Sequence, residues 1–247
     1  MEENNLKVDK IIKIFGGFAA LAVVFSFYLG YFMSEMKVAV PFVSPVSPST
    51  LGNTAQQPDR QLPYEEISPI KLRGDEVFEG PADSKLIAVT FTDFECPFCA
   101  RFHPSLKEIA ANNPEIKIVY KHFPLSFHAN AKEFASNFEC LAKLRGNQAA
   151  TNYADSLFAT ALKDQGITVD SAKSLATSLG ITENDLSNCK SDSNIKKKID
   201  TDFAEGGQIG VNGTPATIFM NLENNKAVKF NGALDLATLQ SELDKIK

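Results

Sequence analysis

Two cysteines separated by two residues form the pair of side chains in this sequence with the clearest chemistry. Cys96 and Cys99 enclose a proline and a phenylalanine, a spacing found in redox-active dithiols and in one half of a zinc site. A zinc ribbon needs a second close pair, whereas the remaining cysteines, Cys140 and Cys189, lie far apart in the sequence. A purely structural disulfide would close a very short loop. The spacing alone is a weak signal, but with a predicted strand before the pair, a helix after it and an oxidising compartment it favours a dithiol that cycles between thiol and disulfide without a metal ion.

The elements on either side of this pair would activate its first cysteine. Lys85–Phe94 is β-branched and aromatic, as in a buried strand, and apolar residues recur at helical spacing after Cys96. Pro97 stands where the first turn of a helix tolerates proline. Cys96 would then be the N-cap, where the helix dipole and hydrogen bonds from the amides of Phe98 and Cys99 favour the thiolate. We therefore predict that Cys96 is a nucleophile with a lowered pKa and that Cys99 resolves the mixed disulfide.

The remaining C-terminal sequence is typical of an α/β domain. Apolar periodicity predicts a strand at 116–123, helices from about 129 to 206, strands at 214–220 and 227–230, and a last helix at 234–246. One sheet with helices on both faces accommodates this order of elements. The predicted globular domain covers residues 64–247.

The N-terminal sequence predicts a membrane anchor. Residues 14–33 are 20 residues without a charge, and a helix of that length spans about 30 Å, the thickness of a bilayer's hydrocarbon core. Three lysines precede this segment and one follows closely, a bias that puts residues 1–13 in the cytoplasm. A cleaved signal peptide is the alternative, although the segment lacks a small-residue cleavage site. We expect a single-pass protein of the cell membrane, with its catalytic domain on the extracytoplasmic side.

Residues 34–63 are predicted to be a linker rich in proline and serine. They contain five prolines and lack the periodicity of a helix or a strand, which indicates an extended tether between anchor and domain. The whole chain has a net charge of −5. This charge argues against nucleic acid as a partner, because no basic field is available to attract it.

Three segments make the chain resemble the DsbA-like branch of the thioredoxin superfamily. They are FTDFECPFCARFHP, HFPLSFHANA and VNGTPATIF, in this order. The resemblance implies a thioredoxin-like α/β fold with a helical domain inserted at about 129–206, and thiol:disulfide chemistry that needs no cofactor. It also implies that Pro215 is a cis-proline facing the two cysteines and that Thr214 offers backbone groups to a substrate strand. Many relatives have an acid where this chain has Thr90, which leaves open whether a carboxylate assists Cys99.

The other two cysteines, Cys140 and Cys189, both lie in the predicted helical block. In an oxidising compartment an even number of remaining cysteines suggests pairing, so we expect a structural disulfide. A second redox pair that relays electrons and two buried free thiols are the alternatives.

Anchor, dithiol and resemblance together predict a thiol oxidase that introduces disulfides into reduced or misoxidised exported proteins. The resemblance implies that a quinone-linked membrane protein of the DsbB or VKOR type re-oxidises it. A reductase or isomerase of the same fold is the first alternative, because it differs only in reduction potential and partner. A non-catalytic membrane-tethered chaperone or a copper-delivery module is the second alternative. A pure binding module would not need both Cys96 and Cys99, and copper carriers of the superfamily typically have three residues between their cysteines, where this chain has two.

Overall fold

The computed structural model describes residues 64–247. The predicted cytoplasmic tail at 1–13, the membrane span at 14–33 and the linker at 34–63 lie outside the described residues. Within the described part of the chain, no helix combines the length and the apolar character needed to cross a membrane.

A single mixed sheet forms the centre of the described domain. Its six strands are β1 Tyr64–Ile67, β2 Val77–Glu79, β3 Leu86–Thr92, β4 Lys117–His122, β5 Ala216–Asn221 and β6 Lys226–Asn231. They are arranged in the order β1-β6-β5-β3-β4-β2; β3 and β4 run parallel, and the other neighbours are antiparallel. All residues of β3 are buried, which explains why this strand is a continuous apolar and β-branched run.

Helices cover both faces of the sheet. Those of residues 64–247 are α1 Pro97–Asn112, α2 Ala131–Arg145, α3 Asn147–Asp164, α4 Val169–Ser178, α5 Glu183–Lys190, α6 Ser193–Gln208 and α7 Leu236–Ile246. Helices α2 to α6 form the helical block between β4 and β5. α6 lies so close to the sheet that a Cβ at Gly206 would come within 2.8 Å of the Phe123 ring, so this position requires glycine.

The register of the sheet brings two distant parts of the sequence to one edge. Phe91, near the carboxyl end of β3, pairs with Ala216 at the start of β5. Because β3 and β5 are antiparallel, the turn that leaves β3 towards Cys96 meets the loop that enters β5 through Pro215. Cys96 and Thr214 therefore face each other although they are 118 positions apart.

Two apolar cores lie on opposite faces of the sheet, as the alternation of strand side chains requires. The larger core contains Phe94, whose ring centroid lies 5.1 Å from that of Phe138 in α2 and 5.3 Å from that of Phe158 in α3. Phe94 comes two residues before Cys96. Packing of the helical block therefore also holds the turn that carries the first cysteine.

A disulfide joins Cys140 of α2 to Cys189 of α5. The two residues are 49 positions apart, and closing a loop of this length stabilises the fold by about 4 kcal/mol in terms of chain entropy. The bond links two separate helices across a long loop, whereas Cys96 and Cys99 are free thiols only three positions apart at the start of one helix. The arrangement favours the structural role over a second redox pair.

A buried charged network, which the sequence pattern does not predict, connects β4 to α6 and to the segment before β2. Lys121 Nζ lies 3.0 Å from Glu76 Oε1, 3.4 Å from Asp202 Oδ1 and 2.7 Å from Glu205 Oε2. Arg73 pairs with Asp202 and Glu205 as well. The side chains of Lys121 and Asp202 are 1% and 0% exposed, so each of these charges depends on its partners for stability.

Candidate active site

The turn between β3 and α1 places both cysteines at one end of the sheet. Cys96 is the N-cap residue of α1, with φ −75° and ψ 121°, and Pro97 begins the helix. The Cys96 amide donates a hydrogen bond to the Asp93 carbonyl at 3.1 Å, which closes the turn. Cys96 is 3% exposed and Cys99 is 2% exposed, and both are free thiols.

The loop that precedes β5 borders the Cys96 sulfur. The peptide bond between Thr214 and Pro215 is cis, and the Cys96 sulfur lies 3.5 Å from the Thr214 carbonyl oxygen, to which it donates when it is protonated. The Pro215 carbonyl accepts a hydrogen bond from the Gly232 amide at 2.7 Å, which fixes the loop to the end of β6. Backbone groups of Thr214 are therefore held beside the sulfur, where an added strand could pair with them.

Cys96 is poised as a thiolate. A hydrogen bond from the Cys99 thiol is the main cause that lowers the pKa of Cys96, to about 5; burial opposes it, and Thr214 and the amides of Cys99 and Phe98 support it. No capping hydrogen bond joins the Cys96 side chain to the first turn of α1, but the amides of Phe98 and Cys99 lower the pKa of Cys96 as predicted. The amides act instead as nearby dipoles at the helix N-terminus. At neutral pH Cys96 is therefore ionised, and the thiolate is the nucleophilic form.

Cys99 has the opposite character. Burial raises the pKa of the Cys99 thiol well above its usual value, and the neighbouring Cys96 raises it further. Once Cys96 is bound in a mixed disulfide it carries no charge, so one of the two causes of this high pKa disappears. Cys99 is then easier to ionise and can attack the Cys96 sulfur. The geometry thus distinguishes a nucleophile from a resolving thiol.

The acidic residues near the pair are engaged with the backbone. Thr90, at the position where the resemblance implies an acid, accepts a hydrogen bond from the Thr217 hydroxyl at 3.4 Å. The carboxylates of Asp93 and Glu95 accept hydrogen bonds from backbone amides. None of these positions therefore offers Cys99 an unoccupied carboxylate.

Two residues beside the site were not identified from the sequence as part of it. Asp93 is 1% exposed, and its Oδ2 accepts a hydrogen bond from Nδ1 of His128 at 2.8 Å. The segments that contain them, FTDFEC and HFPLSFH, both contribute to the family resemblance. However, no spacing rule indicates that side chains 35 positions apart meet.

The Thr214 hydroxyl is positioned to tune Cys96. Thr214 lowers the pKa of Cys96, and its Oγ1 is buried without a hydrogen-bond partner among residues 64–247. We predict that Thr214→Val raises the Cys96 pKa by about 1, since the unpaired hydroxyl can donate to the sulfur once it is a thiolate, and a hydrogen bond to a charged group contributes roughly 1.5 kcal/mol or more. The rate of alkylation of Cys96 against pH measures this change.

The matched control is Thr151→Val, which removes another buried threonine hydroxyl, in α3. This variant should leave the pH dependence of Cys96 alkylation unchanged. An unchanged profile in Thr214→Val would show that this hydroxyl does not act on the sulfur.

Three parts make up a site for dithiol–disulfide exchange: the Cys96 thiolate, the resolving thiol of Cys99, and the loop of Thr214, which offers backbone groups to a substrate. Among the described residues, no three His, Cys, Asp or Glu side chains are grouped so that they could hold a metal ion. The site defines a thiol:disulfide oxidoreductase of thioredoxin-like fold.

Comparison with known families agrees with this class. The profile of the DSBA-like thioredoxin domain matches residues 88–244, which is more than half of the chain. The chain therefore belongs to the family of DSBA-like thioredoxin domains, and the predicted fold class is confirmed. Membership of this family implies thiol–disulfide oxidoreductase activity.

Solved structures of the family have the same fold. DsbA2 of Pseudomonas aeruginosa is 25% identical, with a TM-score of 0.58, over 68% of this chain and 92% of that protein. The thiol-disulfide exchange protein alpha-DsbA2 of Wolbachia pipientis is 22% identical, with a TM-score of 0.59, over 69% of this chain and 86% of that protein.

The curated relatives match only over short stretches. The Na(+)/H(+) antiporter NhaA 3 of Salinispora tropica is 31% identical over 65 residues, which is 26% of this chain and 10% of the antiporter. The chain thus spans about a tenth of that protein's length. So small a share supports no inference about ion transport by this chain.

Proposed function

We propose that this protein is an extracytoplasmic thiol oxidase that introduces disulfides into exported proteins through Cys96 and Cys99. The observation that carries the proposal is the position of the Cys96 sulfur at the N-terminus of α1, beside Cys99 and the cis-proline loop, which lowers its pKa to about 5. Stabilising the thiolate stabilises the reduced protein, so its disulfide becomes a stronger oxidant. The DsbA-like family generally acts on exported proteins, which supports this class of substrate.

The proposed exchange balances in electrons and protons. A substrate thiolate attacks the Cys96 sulfur of the Cys96–Cys99 disulfide, forms a mixed disulfide and releases Cys99, which takes up a proton. A second substrate thiolate attacks the substrate sulfur of the mixed disulfide and releases Cys96. The substrate loses two electrons, which reduce the cysteine pair, and two protons, of which one stays on Cys99 and one enters water. A leaving thiol of low pKa departs faster, so the ionised Cys96 favours the second step.

Turnover requires an oxidant for the reduced pair. We propose a quinone-linked membrane protein of the DsbB or VKOR type, which would accept the two electrons by exchange with Cys96. The predicted anchor at 14–33 and linker at 34–63 would keep the domain near such a partner and raise its effective concentration. Digestion of intact spheroplasts by an added protease tests this location, because an extracytoplasmic domain is degraded and a cytoplasmic one is protected.

The thiol state in living cells tests the direction of the reaction. Acid quenching followed by alkylation with a bulky reagent should find the Cys96–Cys99 pair mainly oxidised. The buried Cys140–Cys189 disulfide is the internal standard, since it reacts only after reduction of the unfolded chain. A mainly reduced pair would overturn the oxidase proposal in favour of a reductase or isomerase.

A further inference from the structure

The loop between β4 and α2 exposes an aromatic side chain beside the active-site turn. Phe127 is 76% exposed, which is more than any other large hydrophobic residue of the described domain. Phe98, between the two cysteines, is 54% exposed. Exposed aromatic residues next to a reactive group commonly mark a surface that binds a partner.

Asp93 fixes this loop and the active-site turn at the same time. Its Oδ2 accepts hydrogen bonds from the Leu125 amide and from His128 Nδ1, both at 2.8 Å. Its Oδ1 accepts from the Glu95 amide at 2.8 Å, and its carbonyl accepts from the Cys96 amide at 3.1 Å. The position of the loop is therefore tied to the position of Cys96.

A second set of hydrogen bonds, to Glu95, holds the far end of the loop. The Glu95 carboxylate accepts hydrogen bonds from the Asn130 amide at 2.6 Å and from its side-chain amide at 3.1 Å. Between the hydrogen bonds to Asp93 and those to Glu95, the Phe127 ring packs edge-on against the His128 ring, with 4.6 Å between their centroids. The chain of contacts thus runs from Phe127 through His128 and Asp93 to the turn of Cys96.

Holding the loop in this way costs free energy, because polar groups must be buried, and a loop that only connects β4 to α2 would not need it. A buried carboxylate and a partly buried imidazole, 0% and 17% exposed in their side chains, are used to hold a segment whose most apolar residue faces water. Burying that ring against a partner would recover the hydrophobic free energy. Because Asp93 ties this loop to the turn that carries Cys96, the partner that would lie against Phe127 is the polypeptide undergoing exchange at that sulfur.

We propose that Phe127 is a specificity-determining residue that contacts an apolar side chain next to the reacting cysteine of the substrate. The side chains of Asp93 and His128 are positioning groups that hold Phe127 in place, and only the backbone of Asp93 contacts a reacting sulfur, that of Cys99. The proposal rests on the function proposed above and adds a preference among reduced polypeptides. They should react faster when a leucine or phenylalanine, and not a serine, neighbours their cysteine.

Single-turnover exchange with two peptides tests the preference. Oxidised full-length protein is mixed with a dithiol peptide that carries leucine beside its first cysteine, or with the same peptide carrying serine there. Acid-quenched samples are analysed by mass spectrometry, since the protein lacks tryptophan as a fluorescent reporter. Phe127→Ser should lower the rate of oxidation of the leucine peptide about 10-fold, as expected for the loss of one aromatic contact. The rate for the serine peptide should fall less than about 2-fold.

Two variants of His128 separate positioning from folding. His128→Ala removes the hydrogen bond to Asp93 and should reduce the leucine-to-serine ratio as Phe127→Ser does. His128→Asn should preserve most of the ratio, because the asparagine amide can donate from near the position of Nδ1. In both variants the pH dependence of Cys96 alkylation should stay that of the wild type.

Leu222→Ser is the matched control. Leu222 is 46% exposed and follows the end of β5, at the sheet edge away from Cys96, so its variant should keep the wild-type ratio. If Phe127→Ser slows both peptides alike or neither, or if His128→Ala keeps the wild-type ratio, the specificity role is overturned while the oxidase function stands. A wild-type protein that oxidises neither peptide overturns both proposals.

Discussion

Cys96→Ser is expected to lower the rate of thiol–disulfide exchange by at least about 1,000-fold, a loss typical of removing an enzyme's nucleophile. A serine hydroxyl does not ionise near neutral pH, so the variant offers neither the attacking anion nor the leaving group. The measurement is oxidation of a reduced, unfolded protein, with free thiols counted over time. A variant that keeps wild-type activity would favour the non-catalytic chaperone or binding module.

Cys99→Ser is the matched comparison, because it removes the other sulfur and leaves the nucleophile. It too should fail to turn over. However, it should accumulate covalent mixed disulfides at Cys96, since nothing inside the protein can resolve them. Non-reducing gels distinguish the two variants: adducts form with Cys99→Ser and not with Cys96→Ser. Adducts in both would show that another cysteine reacts.

Lys121→Met is expected to destabilise the domain by about 3–5 kcal/mol, because it leaves buried carboxylates without their shared cation. Glu76 and Asp202 lose their contacts with the ammonium, and the methionine side chain supplies no replacement. For a domain of this size the melting temperature should fall by roughly 10 °C. Thermal unfolding followed by circular dichroism measures the change.

Lys196→Met is the control, because the Lys196 side chain is 74% exposed in its pair with Asp200. Exposed pairs contribute at most about 1 kcal/mol, so this variant should melt near the wild type. Equal stability of the Lys121 and Lys196 variants would contradict the role given to the buried network.

The network should also make the free energy of unfolding of the wild type depend on pH. This dependence should be weaker in Lys121→Met. Burial alone would raise the pKa of Glu76, but hydrogen bonds from the Arg73 amide and Lys121 lower it to about 2. A carboxyl whose pKa is lowered on folding stabilises the fold above its ordinary value, 4.5. That contribution is lost as the pH falls from there towards 2. Denaturant unfolding between these pH values should show a shallower decline in Lys121→Met.

The reacting pair was predictable because its signals are local. A strand, two cysteines and an amphipathic helix follow each other directly, and the N-cap position of Cys96 results from that order. The central strands and the last helix were likewise predicted within about two residues, because long periodic segments carry strong signals. The pairing of Cys140 and Cys189 was also predictable, because the compartment is predicted to be oxidising and an even number of cysteines remains outside the reacting pair.

What the sequence did not predict depends on contacts between distant segments. β1 and β2 are four and three residues long, too short to show a period, and each is an edge strand that pairs with a single neighbour. Lys121 lies in a strand whose pattern indicates burial but not the partners of its charge. Asp93 and His128 are ordinary loop-flanking residues until the fold brings them within 2.8 Å.

The ionisation of Cys96 can be followed directly through the ultraviolet absorbance of its thiolate in the reduced full-length protein, with Cys96→Ser as the blank. The expected midpoint is a pH of about 5, and reactivity towards an alkylating reagent should rise over the same range. A midpoint near the value of an unperturbed cysteine, about 8.5, would contradict a thiolate stabilised by Cys99 and Thr214. The oxidase proposal would then lose the observation that carries it.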